Sequence, residues 1–191
     1  MADSEYQPVS VSRRIEARPE VIFAVLADPR RHLEIDGSGM LRGAASDGKI
    51  TGVGDVFVMR MYFSQLGDYD MKNHVVEFEQ DRLIGWEPEA GDSYPGVEEQ
   101  DPAERRWGHR WSYALVPVGP AATIVTETYD CSRAPAEERA GMEDGRIWQA
   151  AMAETLERLD QAATSRPGAA AVPPSAEEEA AAGRPAGSPA S

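Results

Sequence analysis

The chain has 191 residues, is 41% hydrophobic and 27% charged, and carries a formal net charge of −14. That length favours one domain, and that composition excludes a wholly disordered chain. No apolar run approaches the roughly 18 residues that span a bilayer, which excludes membrane insertion by a helix. Arg13-Arg14, Arg30-Arg31 and Arg105-Arg106 are isolated pairs and form no basic stripe, so an acidic surface of this kind excludes nucleic acid as the expected partner. The acidic start, Met1-Ala2-Asp3-Ser4-Glu5, has no apolar segment behind it, and Cys131 is the single cysteine. Both point to a cytoplasmic protein without a signal peptide, an internal disulfide or a cysteine-built zinc site.

In chain order, Tyr6 to Ile15 alternates apolar and polar residues and predicts a strand. Pro19 opens a helix that runs to Leu26 and stops before Asp28-Pro29. Arg30 to Ile35 predicts a second short helix, closed by the turn Asp36-Gly37-Ser38-Gly39. Strands follow over Met40–Lys49, Asp55–Phe63, Tyr69–Glu79, Leu83–Trp86, Trp107–Val116 and Thr123–Cys131. Residues 87–104 form an acidic, proline-containing loop, read as a solvated insertion in preference to a lid. Pro117 to Ala122 reads as a hairpin turn.

The last element reads as one long helix over Ala136–Ala163, with Met142, Gly145, Trp148, Met152, Thr155, Leu156 and Leu159 on one face. Gly141 and Gly145 each weaken a helix interior by about 1 kcal/mol against alanine. Two explanations stand: close approach of another group, or a frayed helix start. Beyond that helix, 164–191 is rich in alanine and proline, with Val172 its only large aliphatic residue. It cannot bury enough apolar surface to offset chain entropy. The expected organisation is therefore a folded domain over 1–163 and a disordered tail over 164–191. The class is α+β, an antiparallel sheet covered by one long helix.

This order resembles the helix-grip superfamily, which includes START-type lipid-transfer domains, polyketide cyclase/dehydrase-like proteins and pollen-allergen-like carriers. The resemblance rests on Val9–Ile15 with Pro19–Pro29, Val75–Phe78 with Arg82–Trp86, Arg110–Pro117 and Thr123–Asp130. It looks most like the bacterial polyketide cyclase/dehydrase branch and covers about residues 5–160. It implies a curved sheet wrapped round the C-terminal helix and a cavity for a hydrophobic small molecule. It implies no metal and no nucleotide or other cofactor. Some relatives cyclise or dehydrate poly-ketone chains and others only carry ligands. None of these phrases is a catalytic signature. The subunit count is left open.

Strand alternation then selects the inward residues. Phe57, Met59 and Met61 share one face, as do Tyr69, Met71 and Asn73, and Trp107, His109, Trp111 and Tyr113. On the last strand the resemblance places Glu127 and Tyr129 inward. Trp86, Trp148 and Met152 complete the expected lining. The bland alternative is an ordinary filled core. Glu127 among Trp111, Tyr113 and Tyr129 would lose hydration and gain a raised pKa. With His109 as partner it would form an acid/base pair for cyclisation and loss of water. Its bland alternative is a carboxylate at a wet mouth, or one neutralised by Arg13 or Arg60.

Three classes follow: a ligand-binding cyclase, a non-catalytic carrier or sensor, and a protein-interaction module. His32, His74 and His109 lack metal-ligand spacing, and His74 is expected to face out. Neither a serine-hydrolase elbow nor a dinucleotide loop is present.

Overall fold

A computed structural model describes residues 6–165, so the expected disordered tail lies outside the described residues from Arg166 onward. Strand β1 (Val9–Ile15) follows its sequence alternation, with Ser10, Ser12 and Arg14 exposed and Ile15 fully buried. Pro19 starts helix α1 (Pro19–Leu26), where its missing N–H would have had no partner, and Glu20 lies in the positive first turn. Ile22, Phe23, Val25 and Leu26 are buried. A 3₁₀ turn over Pro29–Arg31, whose Arg30 N–H donates to the Asp28 carboxylate, leads into α2 (His32–Ile35).

Strands β2 (Leu41–Ala44), β3 (Val56–Phe63), β4 (Gly67–Glu79), β5 (Leu83–Ala90), β6 (Arg110–Gly119) and β7 (Ala122–Asp130) complete the sheet. Its order is β1-β7-β6-β5-β4-β3-β2, and every neighbouring pair is antiparallel. A register shift between Val75 and Glu77 bulges β4, which bends a strand and helps curve the sheet. The fold is the expected α+β arrangement of a curved sheet gripping a C-terminal helix.

Several element boundaries differ from expectation: β4 starts earlier, at Gly67, β6 runs on to Gly119 so that the expected Pro117–Ala122 turn narrows to Pro120-Ala121, and three further strand ends differ for local reasons. The Met40–Lys49 strand shrinks to Leu41–Ala44, because Gly43 has φ +119° at a register shift. Strand β5 runs past Trp86 to Ala90 and includes Pro88. Only Leu83–Trp86 pairs with β6, so Pro88 sits where its missing N–H removes no ladder bond. Strand β6 starts at Arg110, leaving Trp107 and His109 in a loop. Gly108 turns the chain there at φ +76°, with Arg133 backbone 2.5 Å from where a Cβ would stand.

The single long helix over Ala136–Ala163 is instead broken. Helix α3 (Ala136–Gly141) gives way to a 3₁₀ segment over Glu143–Trp148, and helix α4 (Gln149–Thr164) follows. Asp144 and Gly145 have left-handed dihedrals, φ 53° and 93°. A Cβ on Gly145 would lie 2.6 Å from the Tyr129 ring. Close approach therefore explains Gly145, whereas Gly141 has open space and ends α3.

Helix α4 buries Met152, Thr155, Leu156 and Leu159 and packs on β1, α1 and α2. The α2–β2 turn docks on its backbone at Gly37, whose N–H donates to Thr155 Oγ1 at 3.1 Å. The Asp36 carboxylate holds that turn by accepting from the Ser38 and Leu41 N–H groups.

Candidate functional site

The concave face of the sheet and α4 do not close on each other completely. They leave a cavity of about 330 Å³. Phe57, Met59 and Met61 enter from β3, and Tyr69, Met71 and Asn73 from the facing positions of β4. Trp86 comes from β5, Trp111 and Tyr113 from β6, Glu127 from β7, and Trp148 and Met152 from the C-terminal segment. The expected cavity is present, and the alternative of a wholly filled core does not hold.

Tyr129 is the inward residue that does not reach the cavity. It is 1% exposed and lies beneath Gly145, with its ring centroid 4.5 Å from that of Trp111. Its role is to support Trp111.

Glu127 is 2% exposed. Its register partner across the β6–β7 ladder is Tyr113, whose hydroxyl donates to Glu127 Oε1 at 2.9 Å. Oε2 has no hydrogen-bonding partner. Burial pushes the Glu127 pKa up to about 8, against the lowering effect of the Tyr113 hydrogen bond. The same burial, with Glu127 beside it, holds the Tyr113 hydroxyl well above its ordinary value. Burial therefore favours the neutral carboxyl, with Oε1 accepting from Tyr113 and Oε2 left without a partner among the described residues. Neither expected neutraliser is present: Arg13 pairs with Asp160 at 2.9 Å, and Arg60 is exposed opposite Asp70.

The proposed pairing of Glu127 with His109 is not formed. His109 Nδ1 meets the Tyr129 hydroxyl at 3.0 Å, and Nε2 lies 3.8 Å from Glu138. The Trp111–Tyr129 rung stands between the two along the ladder. Since side chains on one strand face advance about 7 Å per rung, they cannot exchange a proton directly. His109 still lines the cavity, and burial lowers its pKa.

Several lining residues escaped the sequence reading. Tyr94 belongs to the 87–104 loop, read above as solvated. Its ring packs against Tyr69 at 5.4 Å and Trp107 at 5.3 Å, so the loop is a wall of the cavity. Val97 in the same loop is buried. These two apolar residues within the acidic run were the available signal. His32, Met142 and Thr155 also face the cavity. The opposite face of the sheet carries ion pairs, including Arg110–Glu77 at 2.8 Å and Arg133–Glu87, and there His74 Nε2 lies 2.7 Å from the Glu89 carboxylate. Among the described residues no three His, Cys, Asp or Glu side chains cluster as metal ligands. No described helix is long and apolar enough to cross a membrane.

No protein-family model matches the chain. A 125-residue stretch is 35% identical to the uncharacterized protein Rv0088 of Mycobacterium tuberculosis, covering 64% of this chain and 48% of that one. The chain thus spans about half the length of the curated relatives it matches. Among solved structures, a protein from Arthrobacter aurescens superposes with a TM-score of 0.60 at 17% identity, covering 87% of this chain and 91% of the other. Truncated norcoclaurine synthase from Thalictrum flavum gives 0.55 at 15% identity, covering 84% and 94%. Protein Ms6760 from Mycobacterium smegmatis gives 0.56 at 14%, covering 83% and 91%. At such identities the likeness is one of architecture, and the architecture of this chain is the helix-grip fold.

Proposed function

We propose that the protein binds a small molecule with a hydrophobic body and a polar tip, of the polyketide, lipid or aromatic class, inside the cavity between sheet and α4. The observation that carries this reading is Glu127. A carboxyl group with one oxygen unpartnered, in a cavity also lined by Trp111, Tyr113 and Met152, is a costly feature for an inert core. Glu127 lines the cavity while Oε2 itself is covered, so a rotation of the carboxyl would bring that oxygen to a ligand carbonyl or hydroxyl. The volume and the aromatic and methionine lining suit such a molecule. Cys131, a buried free thiol, supports a place in the cytosol.

A catalytic version rests on the same residue. A carboxyl that titrates near neutrality can pass a proton to a bound ketone and take one back during ring closure or loss of water. Glu127 would act without His109, which belongs to Tyr129. Native mass spectrometry of the purified protein tests the binding reading: a retained small molecule is expected, and its absence after incubation with hydrophobic candidates would count against it. With a ketone substrate, Glu127→Gln should keep binding and lose turnover. Full turnover by that variant would leave a carrier or sensor.

A further inference from the structure

The cavity contains a further polar group, His32, that neither strand alternation nor the resemblance singles out. His32 is 5% exposed, lines the cavity, and lies face-on to Trp86 at 5.4 Å and edge-on to Phe57 at 5.5 Å. Its Nε2 is 2.7 Å from the carbonyl oxygen of Leu26, the last residue of α1. The carbonyls at a helix C-terminus have no partner within the helix, and they only accept. The proton therefore sits on Nε2. The other ring nitrogen, Nδ1, then holds a lone pair, and among the described residues it has no hydrogen-bonding partner. It is not among the sealed-off side-chain atoms, so it remains reachable from the cavity. Burial lowers the pKa of the ring, in keeping with this single protonation.

From this geometry we infer that His32 Nδ1 is the acceptor for a hydroxyl on the ligand, so that the cavity selects phenols, enols or alcohols over their ethers. This rests on the binding reading above and gives it a substrate class. The two ring contacts fix the plane of the imidazole, so acceptance at Nδ1 needs no rearrangement. The ligand's donor goes to His32, while its carbonyl or a second hydroxyl is left for Glu127.

The test uses β-naphthol and its methyl ether, titrated into the full chain and followed by tryptophan fluorescence. Wild type should bind the naphthol about five- to tenfold more tightly than the ether, the range of one net hydrogen bond. His32→Phe should retain ether binding and lose the preference. Equal binding of the two compounds by wild type, or an undiminished preference in His32→Phe, would overturn the assignment while leaving the cavity reading intact. Binding of neither compound would overturn both. Should His32→Phe fail to fold, ¹⁵N imidazole spectra of wild type decide. The Nδ1 resonance of His32 should move upfield with the naphthol and stay with the ether, and an unmoved resonance overturns the proposal.

Discussion

The two faces of one sheet treat ionisable groups in opposite ways. On the convex face Glu77, Glu87, Arg110 and Arg133 meet opposite charges within reach of water. On the concave face Glu127 has a tyrosine hydroxyl and, among the described residues, no cation. Nearby residues of the same strand take part in both: Asp130 lies 3.9 Å from Arg110, and three residues away burial raises the pKa of Glu127. The difference teaches that partner supply, rather than residue type, decides the chemistry of a carboxyl group. A charge that finds a partner in solvent stabilises a little. A group without one is pushed toward its neutral form.

The largest expected effect sharpens this contrast. The folded-state pKa of Glu127 lies above its unfolded value, so its stabilising share is fully present at acid pH. It is lost as pH rises toward about 8. Denaturant unfolding of wild type relative to Glu127→Gln should therefore lose on the order of a few kcal/mol between pH 5 and pH 8. A flat difference over that window would mean the carboxyl is already charged in the fold. Next, Gly145→Ala places a methyl group against the Tyr129 ring at a left-handed φ, and should destabilise by about 3 kcal/mol. The accompanying loosening of Trp111 should appear as a change in tryptophan emission.

A smaller loss, about 1–2 kcal/mol, is expected for Tyr113→Phe, which leaves Glu127 Oε1 without its donor. That variant should also raise the Glu127 pKa further, measurable as an upward shift of the pH midpoint. The smallest effect belongs to the convex face. Arg110→Met should change stability by no more than about 1 kcal/mol, and less in high salt. A loss as large as that of Gly145→Ala would erase the distinction between the faces.

Much of the site is legible along the chain because a strand has a period of two. Phe57, Met59 and Met61 alternate with Val58 and Arg60, and alternate residues must point to opposite faces. The inward direction of Tyr69 and Asn73 follows in the same way. Tyr129 obeys the period and still misses the cavity, because Gly145 and Trp111 enclose its ring. His32 lies in a helix of four residues, too short for any periodicity to assign its face. Tyr94 lies in a loop, where periodicity says nothing, and its partners Tyr69 and Trp107 are distant in the chain.

Local order alone determined the sequence of elements: the proline start of α1, the alternating strands, the β6–β7 hairpin and the helix that ends the described chain. These depend on contacts between near neighbours, which composition and spacing record. Only the assembled structure decided where the C-terminal helix breaks, which hydroxyl takes His109, and that Glu127 has no counter-charge among the described residues. Each of those outcomes depends on groups that folding brings together from distant parts of the chain, at separations no linear period encodes.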